Sequence, residues 1–285
     1  MAAEGRKDTV SNSKSHPKQY RTVLSIAGSD SGGGAGIQAD IKTISALGGF
    51  AMTAVTALTA QNTRGVTRIH PVPAEFAAAQ IDAVLSDIGA DAVKIGMLYS
   101  VELIAVVVRE LTRHKAANIV VDPVMVAQSG DRLLQDEAVE ALTAELFPLA
   151  TVVTPNLPEA EVLLGRSICG PQEMEAAARS LAGFGSRSVL IKGGHGASER
   201  SDDLLFLAEE GRMRWFEGRR IETQNTHGTG CTLSSAIAAR LAAGEGIEAA
   251  VSKAKAYLTE AIRAGAEYRI GRGHGPVHHF YRFWR

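Results

Sequence analysis

Short apolar runs alternate with longer amphipathic stretches along most of this 285-residue chain. Runs rich in apolar and β-branched residues predict strands, and apolar side chains spaced three or four apart predict helices. The predicted strands cover residues 22–27, 50–58, 91–96, 118–122, 151–154 and 187–192. The predicted helices cover residues 37–47, 73–86, 101–113, 136–146, 159–164, 172–184 and 247–267. This alternation predicts an α/β fold, a doubly wound and mostly parallel central sheet with helices on both faces.

The last third of the chain interrupts this alternation. Residues 203–208 and 212–216 flank a polar, glycine-containing turn, which predicts a hairpin. Residues 220–223 are interpreted as a short strand, which a glycine turn separates from a helix over 233–241. Because no repeat or linker-like composition divides the chain, we predict one domain over residues 22–285. The polar residues 1–21 are predicted to form a disordered tail.

The glycine turn, Asn225-Thr226-His227-Gly228-Thr229-Gly230-Cys231-Thr232, is a candidate anion site. Glycines allow backbone N–H groups to converge on one point, and a helix N-terminus adds partial positive charge. Cys231 lies in the first turn of the predicted helix, where a thiol usually loses its proton more easily. An ordinary turn that caps a helix, with Cys231 as a small buried residue, explains the same pattern equally well.

Several other strands also carry polar or glycine residues at their C-terminal ends. They are Gly28-Ser29-Asp30, Lys94-Ile95-Gly96-Met97, Asp122-Pro123, Thr154-Pro155-Asn156 and Lys192-Gly193-Gly194. Ligands of open α/β sheets bind in the crevice outside the carboxyl ends of the strands. The sequence therefore predicts one ligand site along this edge of the sheet.

Composition excludes several classes of function. A formal net charge of −1 provides no basic excess that could follow a nucleic acid backbone. No apolar run is long enough to span a bilayer. The two cysteines, Cys169 and Cys231, form no disulfide framework, which favours a reducing compartment and thus the cytoplasm. We therefore expect a protein with neither a nucleic acid nor a membrane as partner.

Eight segments together make the chain similar to the hydroxymethylpyrimidine/phosphomethylpyrimidine kinases of thiamine biosynthesis, a family with the ribokinase-like fold. They are AGSDSGGGAGIQAD (27–40), AQNT (60–63), KIGML (94–98), DPVM (122–125), TPNLPE (154–159), KGGH (192–195), NTHGTGCT (225–232) and GPVHHF (275–280). The resemblance extends from Val23 to the C-terminus. It departs slightly in the first loop, where Ser31 replaces a frequent proline and Gly33 a common serine.

The resemblance implies an ATP-dependent phosphoryl transfer, which depends on positioning and charge neutralisation. The turn at Gly228, Thr229 and Gly230 would hold the phosphoryl group with backbone N–H groups. Cys231 would accept the proton of the substrate hydroxyl, and Lys192 would neutralise the ATP phosphates. A packing role for the thiol and a solvent-reaching role for the lysine are the alternatives.

The resemblance also implies a Mg²⁺ site and a substrate pocket. Asn156 and Glu159 would orient Mg²⁺ through water, although both also fit a helix cap. Asp122 would orient the ion or the neighbouring loops. The residues expected to line the substrate pocket are Gln61, Gly28, Asp30, Met97, and Val121 or Val124, with Gln61 facing the edge of an aminopyrimidine. Residues 125–132 would form a flap over the substrate.

Three functions remain open at this point. The first is a kinase for 4-amino-5-hydroxymethyl-2-methylpyrimidine and its monophosphate. The second is a pyridoxal or pyridoxine kinase on the same scaffold, and the third is a sensor that binds nucleotide or pyrimidine without catalysis. Gln61 and Met97 favour the first, and the intact Lys192 and Cys231 disfavour the third. The resemblance further implies a homodimer, and the aromatic C-terminus with its histidines fits packing or subunit contact better than a metal.

Overall fold

A computed structural model describes residues 18–125, 136–194 and 199–284. The strands in these ranges are β1 (Thr22–Asp30), β2 (Phe50–Asn62), β3 (Gly65–Pro71), β4 (Ala92–Ile95), β5 (Ile119–Val121), β6 (Val152–Val153), β7 (Ser188–Ile191), β8 (Asp203–Leu207) and β9 (Arg212–Phe216). The α-helices are α1 (Gly36–Ala46), α2 (Ala74–Asp87), α3 (Val101–Arg113), α4 (Asp136–Ala141), α5 (Leu157–Leu164), α6 (Pro171–Ala182), α7 (Thr229–Ala242) and α8 (Ile247–Gly265). The predicted tail up to residue 17 and the predicted flap from residue 126 onward lie outside the described residues.

All of these strands belong to one sheet, in the order β3-β2-β1-β4-β5-β6-β7-β8-β9. Strands β2, β1, β4, β5, β6 and β7 pair in parallel, whereas β3, β8 and β9 join antiparallel. The chain first builds outward from β1 on one side and then returns to place β4 on its other side. The predicted doubly wound, mostly parallel sheet is therefore confirmed.

Helices cover both faces of the sheet. Side chains of α2 to α6 pack in one buried cluster with Leu24 and Ile26 of β1. Side chains of α1, α7 and α8 pack in a second cluster with Val23 of β1 and Ala92 of β4. Because both faces are buried, the central strands appear in the sequence as nearly continuous apolar runs. Lys94 interrupts such a run and is nevertheless fully buried, on the same face of β4 as Ala92.

One local prediction was wrong, and one strand was missed. Residues 220–223 are not a strand, because the segment before α7 is largely irregular and partly exposed, and its neighbour Arg219 makes only an isolated bridge to Arg200. Strand β3 was missed because it is an exposed edge strand whose polar residues give no apolar alternation. It pairs antiparallel with β2, which extends four residues beyond its predicted end, from 58 to Asn62.

The C-terminal segment packs against α7 and α8. His279 lies 3.1 Å from the Thr232 hydroxyl on α7, and its carbonyl accepts a hydrogen bond from Tyr257 on α8. Burial lowers the pKa of His279 to about 3, so the ring stays neutral. The ring of His278 lies between those of Tyr268 and Trp284. These contacts support the packing interpretation of the tail.

Within the described ranges, none of the helices combines the length and apolar character that crossing a membrane requires.

Candidate active site

The candidate site lies where the strand order reverses. Strand β1 sits between β2 and β4 with both pairings parallel, so their carboxyl ends open on the same edge. Crevices of this kind are the usual ligand sites of doubly wound sheets. The loop after β1 and the N-terminal turn of α7 both reach this edge.

The loop after β1 is organised by the carboxylate of Asp30. Its oxygens accept hydrogen bonds from the N–H groups of Gly32, Gly34 and Ala35, at 2.7 to 2.9 Å. Asp30 also lies 2.9 Å from the ring of His227 in the second glycine turn. Burial raises the pKa of Asp30, but His227 and these N–H donors outweigh it and lower the pKa overall. Asp30 thus clamps the two glycine loops together, and both its oxygens already have protein partners.

The turn before α7 requires glycine. Gly228 has a φ of 79°, and a Cβ there would overlap the carbonyl of Gly34. Thr229 and Gly230 are the first residues of α7. A Cβ at Gly230 would lie 3.4 Å from both Asp122 Oδ2 and Lys192 Nζ. The first turn of α7 therefore lies beside an acidic and a basic side chain at Gly230.

Cys231 lies in the first turn of α7 and is partly buried. The lowered thiol pKa that the sequence predicts for Cys231 is wrong, because burial raises this pKa to about 11. Lys94 and the N–H of Gly36 oppose this shift, whereas Asp40 and Asp122 add to it. The carboxylates come from distant parts of the chain, so the local helix-terminus argument did not include them. The thiol is therefore protonated at neutral pH in the ligand-free protein.

Lys192 forms the basic end of an ion-pair cluster. Its Nζ lies 2.8 Å from Asp122 Oδ1 and 3.9 Å from Glu159 Oε2. Burial opposes the charge, but Asp122 and Glu159 raise the pKa of Lys192 overall. Asp122 also contacts the hydroxyls of Thr154 and Ser234. Lys192 is thus a mostly buried cation held at the strand ends, next to the first turn of α7.

Asn156 and Glu159 form a reciprocal cap at the start of α5. The Asn156 side chain accepts from the N–H of Glu159 at 2.8 Å, and Glu159 Oε2 accepts from the N–H of Asn156 at 2.7 Å. Burial raises the pKa of Glu159 to about 7, although Lys192 opposes the shift. The cap explains the local fold, while the buried carboxyl beside Lys192 provides a candidate cation ligand.

The residues predicted to line a substrate pocket are brought together in part. Met97 packs over Gly28, where a Cβ would lie 3.5 Å from both its sulfur and its terminal carbon. Met97 also packs with Ala57 and Val124. Val121, in contrast, is fully buried in the main core with the α2–α6 side chains. Val124, and not Val121, therefore packs with Met97 and Ala57.

Gln61 reaches the same edge from the end of β2. Its carboxamide lies 3.1 Å from the Thr59 hydroxyl and 3.4 Å from the ring of His227. Ser31, next to Asp30, hydrogen-bonds with both the N–H and the carbonyl of Gln61. Gln61 is therefore positioned by both glycine loops, with its polar end at their junction.

Three site residues received no role from the sequence. His227 joins the glycine loops through Asp30, although it stands in the middle of the turn that the sequence singled out. Lys94 and Asp40 form an ion pair of 2.9 Å whose side chains are both fully buried. The available signal was a lysine inside the apolar run of β4, a position where an unpaired charge is costly.

Comparison with known proteins identifies the family of this chain. The family model described as phosphomethylpyrimidine kinase matches residues 30–278. The chain belongs to this family. It is 55% identical over 264 residues to the hydroxymethylpyrimidine/phosphomethylpyrimidine kinase of Rhizobium meliloti, covering 92% of this chain and 98% of that protein. The sequence-based family prediction is thereby confirmed.

Solved structures of related kinases share the fold. The pyridoxal kinase of Bacillus subtilis in complex with ADP superimposes with a TM-score of 0.85 at 36% identity, covering 93% of this chain and 100% of that one. A phosphomethylpyrimidine kinase from Clostridium difficile 630 gives a TM-score of 0.75 at 44% identity, covering 85% and 99%. The phosphomethylpyrimidine kinase fold is therefore shared with vitamin kinases that act on pyridoxal.

Two glycines that precede helices give a matched test of the turn. Gly228→Ala introduces both left-handed strain and an overlap with Gly34, so it should lower the free energy of unfolding by about 2 kcal/mol or more. Gly246→Ala, before α8, meets no atom within 4 Å at a φ of −68° and should change it by less than about 0.5 kcal/mol. Urea unfolding measures both values. Equal values for the two variants would contradict the tight contact between the glycine loops.

Proposed function

We propose that this protein is an ATP-dependent kinase that phosphorylates 4-amino-5-hydroxymethyl-2-methylpyrimidine and then its monophosphate in thiamine biosynthesis. The observation that carries this proposal is the close approach at Gly230. There the first turn of α7, with its N-terminal N–H groups, lies beside the mostly buried cation Lys192, which Asp122 holds at 2.8 Å. Fixed N–H donors and a buried cation suit a transferring phosphoryl group. Family membership adds the substrate class.

The proposed roles follow from charge and position. The first turn of α7 holds the transferring phosphoryl group, and Lys192 moves from Asp122 toward the phosphates of ATP. Asp122 keeps its contacts with Thr154 and Ser234, so it orients this lysine more readily than it ligates a metal. With a pKa of about 11, the Cys231 thiol is protonated at neutral pH in the ligand-free protein. Cys231 can therefore accept the substrate proton only where its surroundings stabilise the thiolate.

Glu159 and Asn156 suit a Mg²⁺ ion. Glu159 is a buried carboxyl beside the Lys192 cation, and Asn156 is fixed next to it by the reciprocal cap. Mg²⁺ prefers oxygen ligands and retains several waters, so Glu159 and Asn156 would hold it largely through water. When bound, the ion neutralises negative charge on the phosphates. The raised pKa of Glu159 makes this cation site sensitive to pH.

Mg²⁺ binding should therefore improve as the pH rises. The Glu159 pKa of about 7 means that below this pH the ion must displace a proton. The Mg²⁺ concentration for half-maximal rate should fall roughly tenfold from pH 6 to pH 8 for one released proton. Glu159→Gln should require more Mg²⁺ and lose most of this pH dependence. The exposed Glu140→Gln is the control, and a wild-type pH profile in Glu159→Gln would return Glu159 to helix capping alone.

A pyridoxal or pyridoxine kinase activity is the second candidate, because the pyridoxal kinase fold superimposes closely. Gln61 favours the aminopyrimidine. A carboxamide offers a donor and an acceptor to an amine and an adjacent ring nitrogen, whereas pyridoxine has no exocyclic amine. We disfavour the non-catalytic sensor, because the chain retains Lys192, Glu159 and Cys231, and Lys192 lies 3.9 Å from Glu159.

One assay tests the function and separates the two candidates. ATP-dependent phosphorylation is measured for the aminopyrimidine alcohol, its monophosphate and pyridoxine, in wild type, Gln61→Ala and the exposed Gln224→Ala. The pyrimidine substrates should be preferred by wild type. Gln61→Ala should lose about 5- to 150-fold in kcat/KM on the pyrimidine, corresponding to about 1–3 kcal/mol for an unpaired polar edge. No transfer to either pyrimidine would overturn the function, and equal losses on pyridoxine would remove Gln61 from recognition.

Assembly and location are further parts of the proposal. We propose a homodimer on the basis of the family resemblance. We propose a cytoplasmic location because neither cysteine of the described residues is in a disulfide. Multi-angle light scattering of the purified protein tests the dimer, for which a monomer mass of 30.1 kDa would be the contrary result.

A further inference from the structure

A buried cation lies beneath the first turn of α7. Lys94 on β4 is 0% exposed, and its Nζ lies 2.9 Å from Asp40 Oδ2 on α1. A Cβ at Gly96 would lie 2.8 Å from this Nζ. The lysine therefore bends along its own strand toward the carboxyl end, over the space that Gly96 leaves. Its ammonium thus points to the edge of the sheet where the site lies.

Asp40 connects this ammonium to α7. Its Oδ1 accepts a hydrogen bond of 2.6 Å from Ser235, and its Oδ2 accepts one of 2.6 Å from Ser25 on β1. Ser235 follows Cys231 by four residues, so both side chains lie on the same face of α7. Lys94 shares the face of β4 that packs against α1 and α7. The ion pair is therefore underneath the turn that carries Cys231.

The charges around the thiol come from four elements. Lys94 from β4 and Asp40 from α1 approach from below, Asp122 from the end of β5, and Lys192 from the end of β7. Glu159 lies farther out, against Lys192. Burial opposes the charge of Lys94, but Asp40, Cys231 and Asp122 raise its pKa, so the ammonium stays charged. The described residues give this ammonium one hydrogen bond, which goes to Asp40.

We propose that Lys94, held by Asp40, is a positioning residue whose buried positive charge favours the anionic form of Cys231. This inference rests on the proposed function for its use in catalysis, where a more anionic sulfur accepts the substrate proton more readily. Its physical content, an electrostatic coupling between Lys94 and the thiol, does not depend on the substrate. Asp40 has two opposing effects, because it fixes the ammonium and also adds negative charge near the sulfur. The two members of the pair should therefore shift the thiol in opposite directions.

The competing explanation is that the pair only stabilises the fold. Buried ion pairs often contribute little net stability, because desolvation offsets the attraction. Removal of one partner, however, leaves an unpaired buried charge and destabilises the protein strongly. Loss of stability therefore cannot distinguish the two explanations, but the charge state of the thiol can.

The test measures alkylation of Cys231 by iodoacetamide against pH. The background is Cys169→Ser, which removes the exposed second thiol. Lys94→Met should raise the apparent pKa of Cys231 by about one unit or more, and Asp40→Asn should lower it. Ser25→Ala, which removes a hydrogen bond to Asp40 but no charge, is the matched control and should leave the profile close to wild type. Intact-mass spectra give the rates, and circular dichroism verifies folding.

Opposite shifts in the two charge variants would support the proposal. Shifts in the same direction would overturn it, since loosened packing alone would expose the thiol in both, and unchanged profiles would overturn it as well. If Lys94→Met does not fold, the double variant Lys94→Met/Asp40→Asn, which leaves neither charge buried without its partner, is compared with Asp40→Asn. A higher apparent pKa in the double variant supports the coupling, because the two variants differ only in the ammonium, and an equal or lower one overturns it. If the alkylation shifts occur while phosphoryl transfer is unaffected by both variants, the coupling stands and the proton-accepting role of Cys231 fails.

Discussion

The buried ion pair between Asp40 and Lys94 is the constraint on which the centre of this molecule depends. Both side chains are fully buried, so their charges lie far from water at a contact of 2.9 Å. Such a pair is tolerated when its remaining hydrogen-bonding capacity is satisfied. Ser25 and Ser235 do this for Asp40 and thereby join β1, β4, α1 and α7 at one point. The helix starts that form the site are fixed relative to the sheet by the same contacts.

Above this pair, the site is assembled from loops that approach one another closely. Asp30 gathers the N–H groups of the first glycine loop and lies 2.9 Å from His227 in the second. Gly228 then contacts Gly34 so closely that no larger residue fits at position 228. Lys192 and Asp122, paired at 2.8 Å, lie beside Gly230 in the first turn of α7. Phosphoryl transfer relies on fixed positions and charges, and this arrangement supplies both from rigid elements.

Much of the fold was predictable because burial on both sheet faces leaves a simple signal in the sequence. Continuous apolar runs marked the central strands, and the hairpin of β8 and β9 followed from its polar turn. The edge strand β3 gave no such signal because it is exposed, and residues 220–223 looked like a strand although the segment is irregular and partly exposed. The strand ends correctly indicated one functional edge. The acidity expected for Cys231 was wrong because burial raises the pKa of the thiol, and Asp40 and Asp122, distant in sequence, add to the shift.

The central claim is that the buried charges at positions 40 and 94 serve the site more than the stability of the fold. The most direct measurement compares the kcat for the aminopyrimidine alcohol in Lys94→Met and in Asp40→Asn, because each variant leaves one member of the buried pair without its partner. The account predicts that kcat falls by about tenfold or more in Lys94→Met, which removes the ammonium near Cys231, and falls much less in Asp40→Asn, which removes negative charge near the thiol. Equal losses of kcat in the two variants would contradict the account, because a pair that only stabilises the fold predicts the same effect from the loss of either partner.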